Sequence, residues 1–187
     1  MSTRSELLAT AESLLRTKGY AAFSYADLAQ SIGISKASIH HHFPTKEKLG
    51  IAIVENYIFR FRKRLELIDH YSDSSLQRLI KYSDLFRESR DMSLLPLCGA
   101  LAAEMSVLPE SLRQLTKIFF EVHLRWIEST VKLGQQRGEM KDSLNYESLS
   151  RSILGFLEGE AFVAWAFENN SKPVDSFQCF LSCFTND

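Results

Sequence analysis

The sequence predicts an all-α protein, and three observations carry that prediction. Apolar residues recur at spacings of three and four through nearly every stretch, which is the period of one helix face. Capping residues, glycines and prolines fall where those stretches begin and end. No run alternates apolar with polar residues as a half-buried strand would, and no internal repeat or low-complexity tract interrupts the pattern. With 187 residues and 45% apolar content, the chain is large enough to build a real core.

The elements follow in order. Thr3 and Glu6 have capping-box spacing, and Leu7, Leu8, Ala11, Leu14 and Leu15 give the first helix an apolar stripe that Gly19 ends. Tyr20 and Phe23 then read as core aromatics in the loop that follows. Ser24 and Asp27 form a second capping box ahead of Leu28, Ala29 and Ile32. Gly33 closes that short helix where a positive φ is usually needed, and Ser35 caps a further helix. In it Ile39 and Phe43, four apart, point inward, while Lys36, Ser38, His40 and His41 stay outside. Pro44 stops the helix and Thr45 caps the next. Helix, tight turn and short polar-faced helix make a helix-turn-helix, whose second helix suits the major groove of DNA.

From Lys46 to Asp69 a long helix is expected, with Leu49, Ile53, Tyr57, Phe61, Leu65 and Ile68 on its apolar face. The basic cluster Arg60, Arg62, Lys63 and Arg64 points around most of the helix and reads as a solvated face. Tyr71 to Ser75 is a turn-rich boundary, and helices are predicted over Leu76–Glu88 and Ser93–Val107. A long one takes Pro109 as its first residue and runs to just before Gly138, and Leu144–Phe167 and Pro173–Phe184 complete the set. The chain divides into a helix-turn-helix DNA-binding domain, 1–48, and a helical domain, 49–187.

The run GYAAFSYADLAQSIGISKASIHHHFPTKEKL closely resembles the DNA-binding region of the TetR/AcrR family of bacterial transcriptional regulators, over about Arg4 to Leu49. Where the family pattern has Gly-Thr-Leu-Tyr, this chain has Ala37, Ser38, Ile39 and His40. The resemblance implies that Lys36, Ala37, Ser38 and His40 touch base edges. It places Ser24, Tyr25, His42, Thr45 and Lys46 at phosphate-contacting positions, and His41 suits either task. ILGFLEGEAFVAWAF, Ile153–Phe167, is similar to the penultimate helix of such regulators, where the last two helices of each subunit form a homodimer interface. Gly155 and Gly159, four apart, leave room for close helix approach. The family further implies a repressor, bound to an inverted-repeat operator in double-stranded DNA and released by a small-molecule ligand held in the second domain. Phe86, Cys98, Met105, Phe119, His123, Trp126, Phe162 and Trp165 are the candidates to line that site, as apolar walls with one polar handle. Each has the alternative of being packed core, and His123 among aromatics also reads as a hydrogen-bonded core histidine.

Composition narrows the alternatives. Net charge is −1, but residues 1–48 hold six Lys/Arg against four Asp/Glu, so a small basic excess lies on the DNA side. Three cysteines, Cys98, Cys179 and Cys183, make no disulfide framework, and a cytoplasmic protein is expected. No signal peptide is read at the N-terminus, and no apolar run reaches the roughly 20 residues that span a membrane. His40, His41 and His42 are consecutive, so they do not face one another as helical metal ligands at i and i+4 do; neither metal nor cofactor is expected. No nucleophile elbow, phosphate-binding glycine loop or zinc spacing appears, and no catalytic residue is expected. Cys98 resembles the helix-six cysteine of some electrophile sensors of this family, with a buried packing cysteine as its alternative. The rival function is a helical dimer that binds small molecules or proteins without DNA.

Overall fold

The computed structural model describes residues 3–167 and 176–186. Nine helices lie among them: α1 (Thr3–Lys18), α2 (Tyr25–Ile32), α3 (Lys36–His42), α4 (Lys46–His70), α5 (Ser75–Asp91), α6 (Leu97–Ala102), α7 (Glu110–Gln136), α8 (Tyr146–Ala166) and α9 (Ser176–Ser182). An isolated bridge between Met140 and Thr185 is the single β feature of the described residues. No described helix is long and apolar enough to cross a membrane. Packing divides the chain into two units, one running to Arg60 and resuming from Leu94 to Phe119, the other holding Phe61–Ser93 and Phe120 onward. This partition differs from a simple cut after residue 48, because the segment around α6 packs with the first helices.

In the first unit α1 lies against α2 and α6, and α2 against α3. Leu7, Leu15, Leu28, Ile39, Leu49 and Ile53 are fully buried, each contributing about 1.5–3 kcal/mol of apolar burial. Gly50 permits a close approach: a Cβ there would stand 2.9 Å from Leu112 Cδ1 and 3.1 Å from the Tyr20 ring. A buried ionic cluster ties α1 to its surroundings. Glu12 pairs with Arg16 at 3.4 Å and with Arg60, while Arg16 Nε donates to the Leu95 carbonyl at 2.7 Å.

The second unit is built on an aromatic nucleus. Tyr82 and His123 are buried, with the Tyr82 hydroxyl meeting His123 Nδ1 at 2.5 Å. Phe61 lies on His123 at 4.3 Å between ring centres, and Trp126 stacks on Tyr82 at 5.2 Å. A second aromatic group, Phe156, Phe177, Phe180 and Phe184, joins α8 to α9 and the turn after it. Glu139 Oε2 accepts from the Ser75 amide at 2.7 Å and the Ser74 hydroxyl at 3.0 Å, serving the start of α5. Asn145 does the same for α8 by accepting from the Ser148 amide at 2.8 Å. The basic cluster of α4 is largely consumed by ion pairs: Lys63 with Glu66, and Arg64 with both oxygens of Glu88 at 2.6 Å.

Three expectations change. The helix foreseen over Ser93–Val107 shrinks to the six residues of α6. Pro96 holds Leu95 out of the helical region, and Ser93 turns with φ +53°. Beyond Ala102 a run of turns replaces helix, because Glu104 is drawn into a contact with the α1–α2 corner. Thr3 is already helical, not a cap preceding the helix. The start of the last helix at Pro173 lies outside the described residues, and α9 ends at Ser182, two residues before Phe184.

Candidate nucleic-acid interface

Local chemistry builds the α2–α3 pair almost residue by residue. The Ser24 hydroxyl oxygen accepts from the amides of Ala26 and Asp27 at 3.2 and 3.3 Å, and Asp27 Oδ2 accepts from the Ser24 amide at 2.8 Å. Bonds from Ser24 and Lys18 hold the Asp27 carboxyl far below the usual carboxylate range. Gly33, at φ +78°, donates to the Ala29 carbonyl at 2.9 Å, and Ile34 donates to the same oxygen at 3.2 Å. Ser35 Oγ accepts from the Ser38 amide at 3.2 Å and starts α3.

Once capped, α3 needs little of its own side-chain surface for folding. Ile39 is its buried residue, and Phe43 packs just beyond it. Lys36, Ala37, His40 and His41 are exposed, while Ser38 and His42 are half-buried. The helix carries no acidic residue, so its outer face offers one cation, imidazoles and a hydroxyl to a polyanion. The Tyr25 hydroxyl donates to the Phe43 carbonyl at 2.7 Å and its ring meets His40 at 4.8 Å. Burial pushes the Tyr25 phenol up to about 12, so it stays a donor. Thr45 Oγ1 accepts from the Lys48 amide at 3.1 Å, opening α4.

Of the residues expected at phosphates, Ser24, Tyr25 and Thr45 therefore also hold the fold. Lys46 is the one whose placement differs most from a free surface cation. Its Nζ donates to the Ala21 carbonyl at 3.2 Å and sits 4.7 Å from the ring centres of both Tyr20 and Phe23. Burial pushes its ammonium down, against the pull of Glu104 and Asp27. Two neighbours escaped the sequence reading: Arg4, whose guanidinium lies 5.2 Å over the Phe43 ring, and Lys48, exposed in the first turn of α4. Net charge near this face was the available signal for both. Among the described residues no cluster could hold a metal ion, the three consecutive histidines included.

The eight ligand candidates are divided between the two units. Cys98, Met105 and Phe119 belong to the first unit, where Cys98 and Phe119 are buried. Phe86, His123 and Trp126 are part of the packed aromatic nucleus of the second unit. Burial alone pushes the His123 imidazole down to about 3, so it is neutral near pH 7. Phe162 and Trp165 lie on α8, Phe162 exposed and Trp165 half-buried. The second unit does contain a cleft of about 310 Å³ between α5, α8 and α9. Phe86, Arg87, Arg90, Phe156, Glu160 and Phe177 line it, and of these only Phe86 stood among the candidates. Three separate helices supply the others, which no local spacing in the sequence reveals.

Comparison with known proteins agrees with this geometry. The family model described as bacterial regulatory proteins, tetR family, matches residues 7–53 and so covers α1 through the first turns of α4. The HTH-type transcriptional regulator CymR of Pseudomonas putida is 30% identical over 148 residues, 77% of this chain and 73% of its own. A TetR transcriptional regulator from Legionella pneumophila superposes with a TM-score of 0.83 at 29% identity, over 95% of this chain and 92% of that one. A TetR-family regulator from Agrobacterium tumefaciens, at 24% identity, shares the fold with a TM-score of 0.89 over 98% and 97% of the two chains. A capped helix-turn-helix with a polar, acid-free second helix, in a chain that aligns with such regulators over most of its length, makes this protein a DNA-binding transcriptional regulator of the TetR family.

Proposed function

We propose that the protein is a cytoplasmic, homodimeric repressor that binds an inverted-repeat operator and leaves it when a small molecule binds. Residues 1–48 read the DNA in this proposal, and residues 49–187 hold the ligand and the dimer contact. The observation that carries it is α3: a seven-residue helix fixed by caps, with Lys36, Ala37, His40 and His41 facing solvent and Ser38 beside them. Lys36, Ala37, Ser38 and His40 are assigned to base edges. Ser24, Tyr25, His42, Thr45 and Lys46 are assigned to phosphates, and His41 to either.

Two features support the remainder. On α8 a Cβ at Gly155 or Gly159 would meet nothing within 4 Å, and Phe162, Val163 and Phe167 are 37%, 55% and 64% exposed. An apolar face left bare along a long helix suits a second copy of the same helix, and a two-fold protein matches a two-fold operator. The cleft beside Phe86 combines aromatic walls with Arg87, Arg90 and Glu160, which suits an amphipathic ligand.

Selection of bound duplexes from a random DNA pool tests this directly, followed by a salt titration on the enriched sequence. An inverted repeat should emerge, and six to ten phosphate contacts imply a loss of roughly 10³–10⁵ in affinity between about 50 and 200 mM salt. Failure to enrich any sequence, or a flat salt response, would overturn the reading.

A further inference from the structure

One contact within the first unit joins residues 84 positions apart and closes on the corner beneath the helix-turn-helix. After α1 the chain turns at Gly19 with φ +88°, and the next two amides, of Tyr20 and Ala21, both donate to the carboxylate of Glu104. Tyr20 N–H meets Oε2 and Ala21 N–H meets Oε1, the latter at 3.2 Å. Successive N–H groups beside a left-handed residue form a concave nest that receives an anion. The fit is close, since a Cβ on Gly19 would stand 2.9 Å from Glu104 Oε1.

The same corner holds Lys46. Ala21 is gripped at both ends, its N–H by Glu104 and its carbonyl by the Lys46 ammonium at 3.2 Å. Tyr20, whose amide Glu104 accepts, supplies one of the two rings on which that ammonium rests. Three residues beyond Ala21, Ser24 caps α2. The carboxylate is thus two contacts away from a candidate phosphate ligand and close to the start of the first helix of the reading pair.

We infer that Glu104 is a positioning residue for DNA reading: it fixes the Tyr20–Ala21 corner, and through Ala21 and the Tyr20 ring it fixes the Lys46 ammonium. A lysine stem is flexible, and a corner that already orders it removes ordering otherwise required on binding. This role rests on the proposed DNA contacts of Lys46 and α3. It makes a prediction opposite in sign to simple charge. An acid near a DNA face repels phosphates, so its neutralisation should strengthen binding to every duplex; loss of a positioning acid should weaken binding to the operator.

The experiment compares operator and random duplex binding by the full-length protein and its variants Glu104→Gln, Glu104→Asp and Glu6→Gln, alongside amide exchange at Tyr20 and Ala21. Glu104→Gln loses one acceptor and the charge, and because Lys46 is assigned to phosphates its affinity should fall about tenfold for operator and random duplex alike. Glu104→Asp keeps the charge but is one methylene too short to span both amides, and should show a similar loss on both duplexes. Exchange at Tyr20 and Ala21 should quicken in both while the middle of α1 is unchanged. Glu6, exposed on α1, reports the effect of charge alone. Unchanged affinities in both Glu104 variants, or an equal rise on all duplexes, would overturn the positioning role while wild-type binding leaves the DNA reading intact. A wild-type protein that binds no duplex would overturn both.

Discussion

Two of the tyrosine–histidine contacts among the described residues, Tyr25 with His40 and Tyr82 with His123, do opposite things. On the reading face Tyr25 and His40 touch edge to face at 4.8 Å, with His40 exposed on a seven-residue helix whose one buried side chain is Ile39. In the second unit Tyr82 and His123 meet at 2.5 Å, and Phe61, Phe86 and Trp126 surround them until His123 is 3% exposed. The pairing itself is no guide to function. What differs is how each helix is stabilised: α3 by Ser35 and the Gly33 turn, which leave its side chains to a partner, and the second unit by the rings themselves.

The sharpest way to break this contrast is Tyr82→Ala. If the nucleus is the core of its unit, the variant should lose about 3–5 kcal/mol in denaturant unfolding. A loss below about 1 kcal/mol would mean the rings are a binding surface, not a core. Acid gives the next largest effect. His123 is held neutral in the folded protein down to about pH 3, whereas in the unfolded chain it takes up a proton near its ordinary 6.5. The unfolded state then binds more protons between those values, so this group's contribution to stability falls as pH drops through that window, by up to about 1.4 kcal/mol per pH unit. Unfolding followed from pH 7 to 4 should show a shallower slope for His123→Gln than for wild type; equal slopes would contradict the buried assignment. Tyr82→Phe, which keeps the ring and removes the hydroxyl that meets Nδ1, should cost about 1–2 kcal/mol. His41→Ala sharpens the other side. Its stability should stay within about 0.5 kcal/mol of wild type, while its operator affinity in a duplex titration falls; unaltered affinity would remove His41 from the interface.

The same contrast explains what the sequence disclosed. Ser24 with Asp27, Gly33, Ser35 and Thr45 act on atoms within five residues of themselves, so their spacing alone announces two capped helices and the turn between. Lys46 was legible as a cation in the first turn of a helix but not as the donor to Ala21, 25 residues earlier. Glu104 lay inside an expected helix, and only its distant partners explain why the chain turns there. His123 was expected among the aromatics next to it in sequence, whereas the rings that meet it, Phe61, Tyr82 and Phe86, come from two other helices. Phe61 from α4 and Tyr82 from α5 lie against His123, and Trp126 stacks on Tyr82. One cleft opens where Arg87, Phe156 and Phe177 converge from three helices, and another, of about 390 Å³, lies beside Trp126.

The first unit is discontinuous along the chain, resuming at Leu94 after stopping at Arg60. That imposes an order of events during synthesis. Helices α1 to α3 emerge early, yet Glu104, which fills the nest after Gly19, and Leu95, whose carbonyl accepts from Arg16, arrive much later. At about 5–20 residues per second, the roughly 60 residues from Arg60 to Phe119 take on the order of 3–12 s to be added. During that interval the nascent helix-turn-helix carries Arg16 without its carbonyl partner and an open anion nest beside Lys46. Until Glu104 is added, the Tyr20 and Ala21 amides lack the carboxylate that closes the corner.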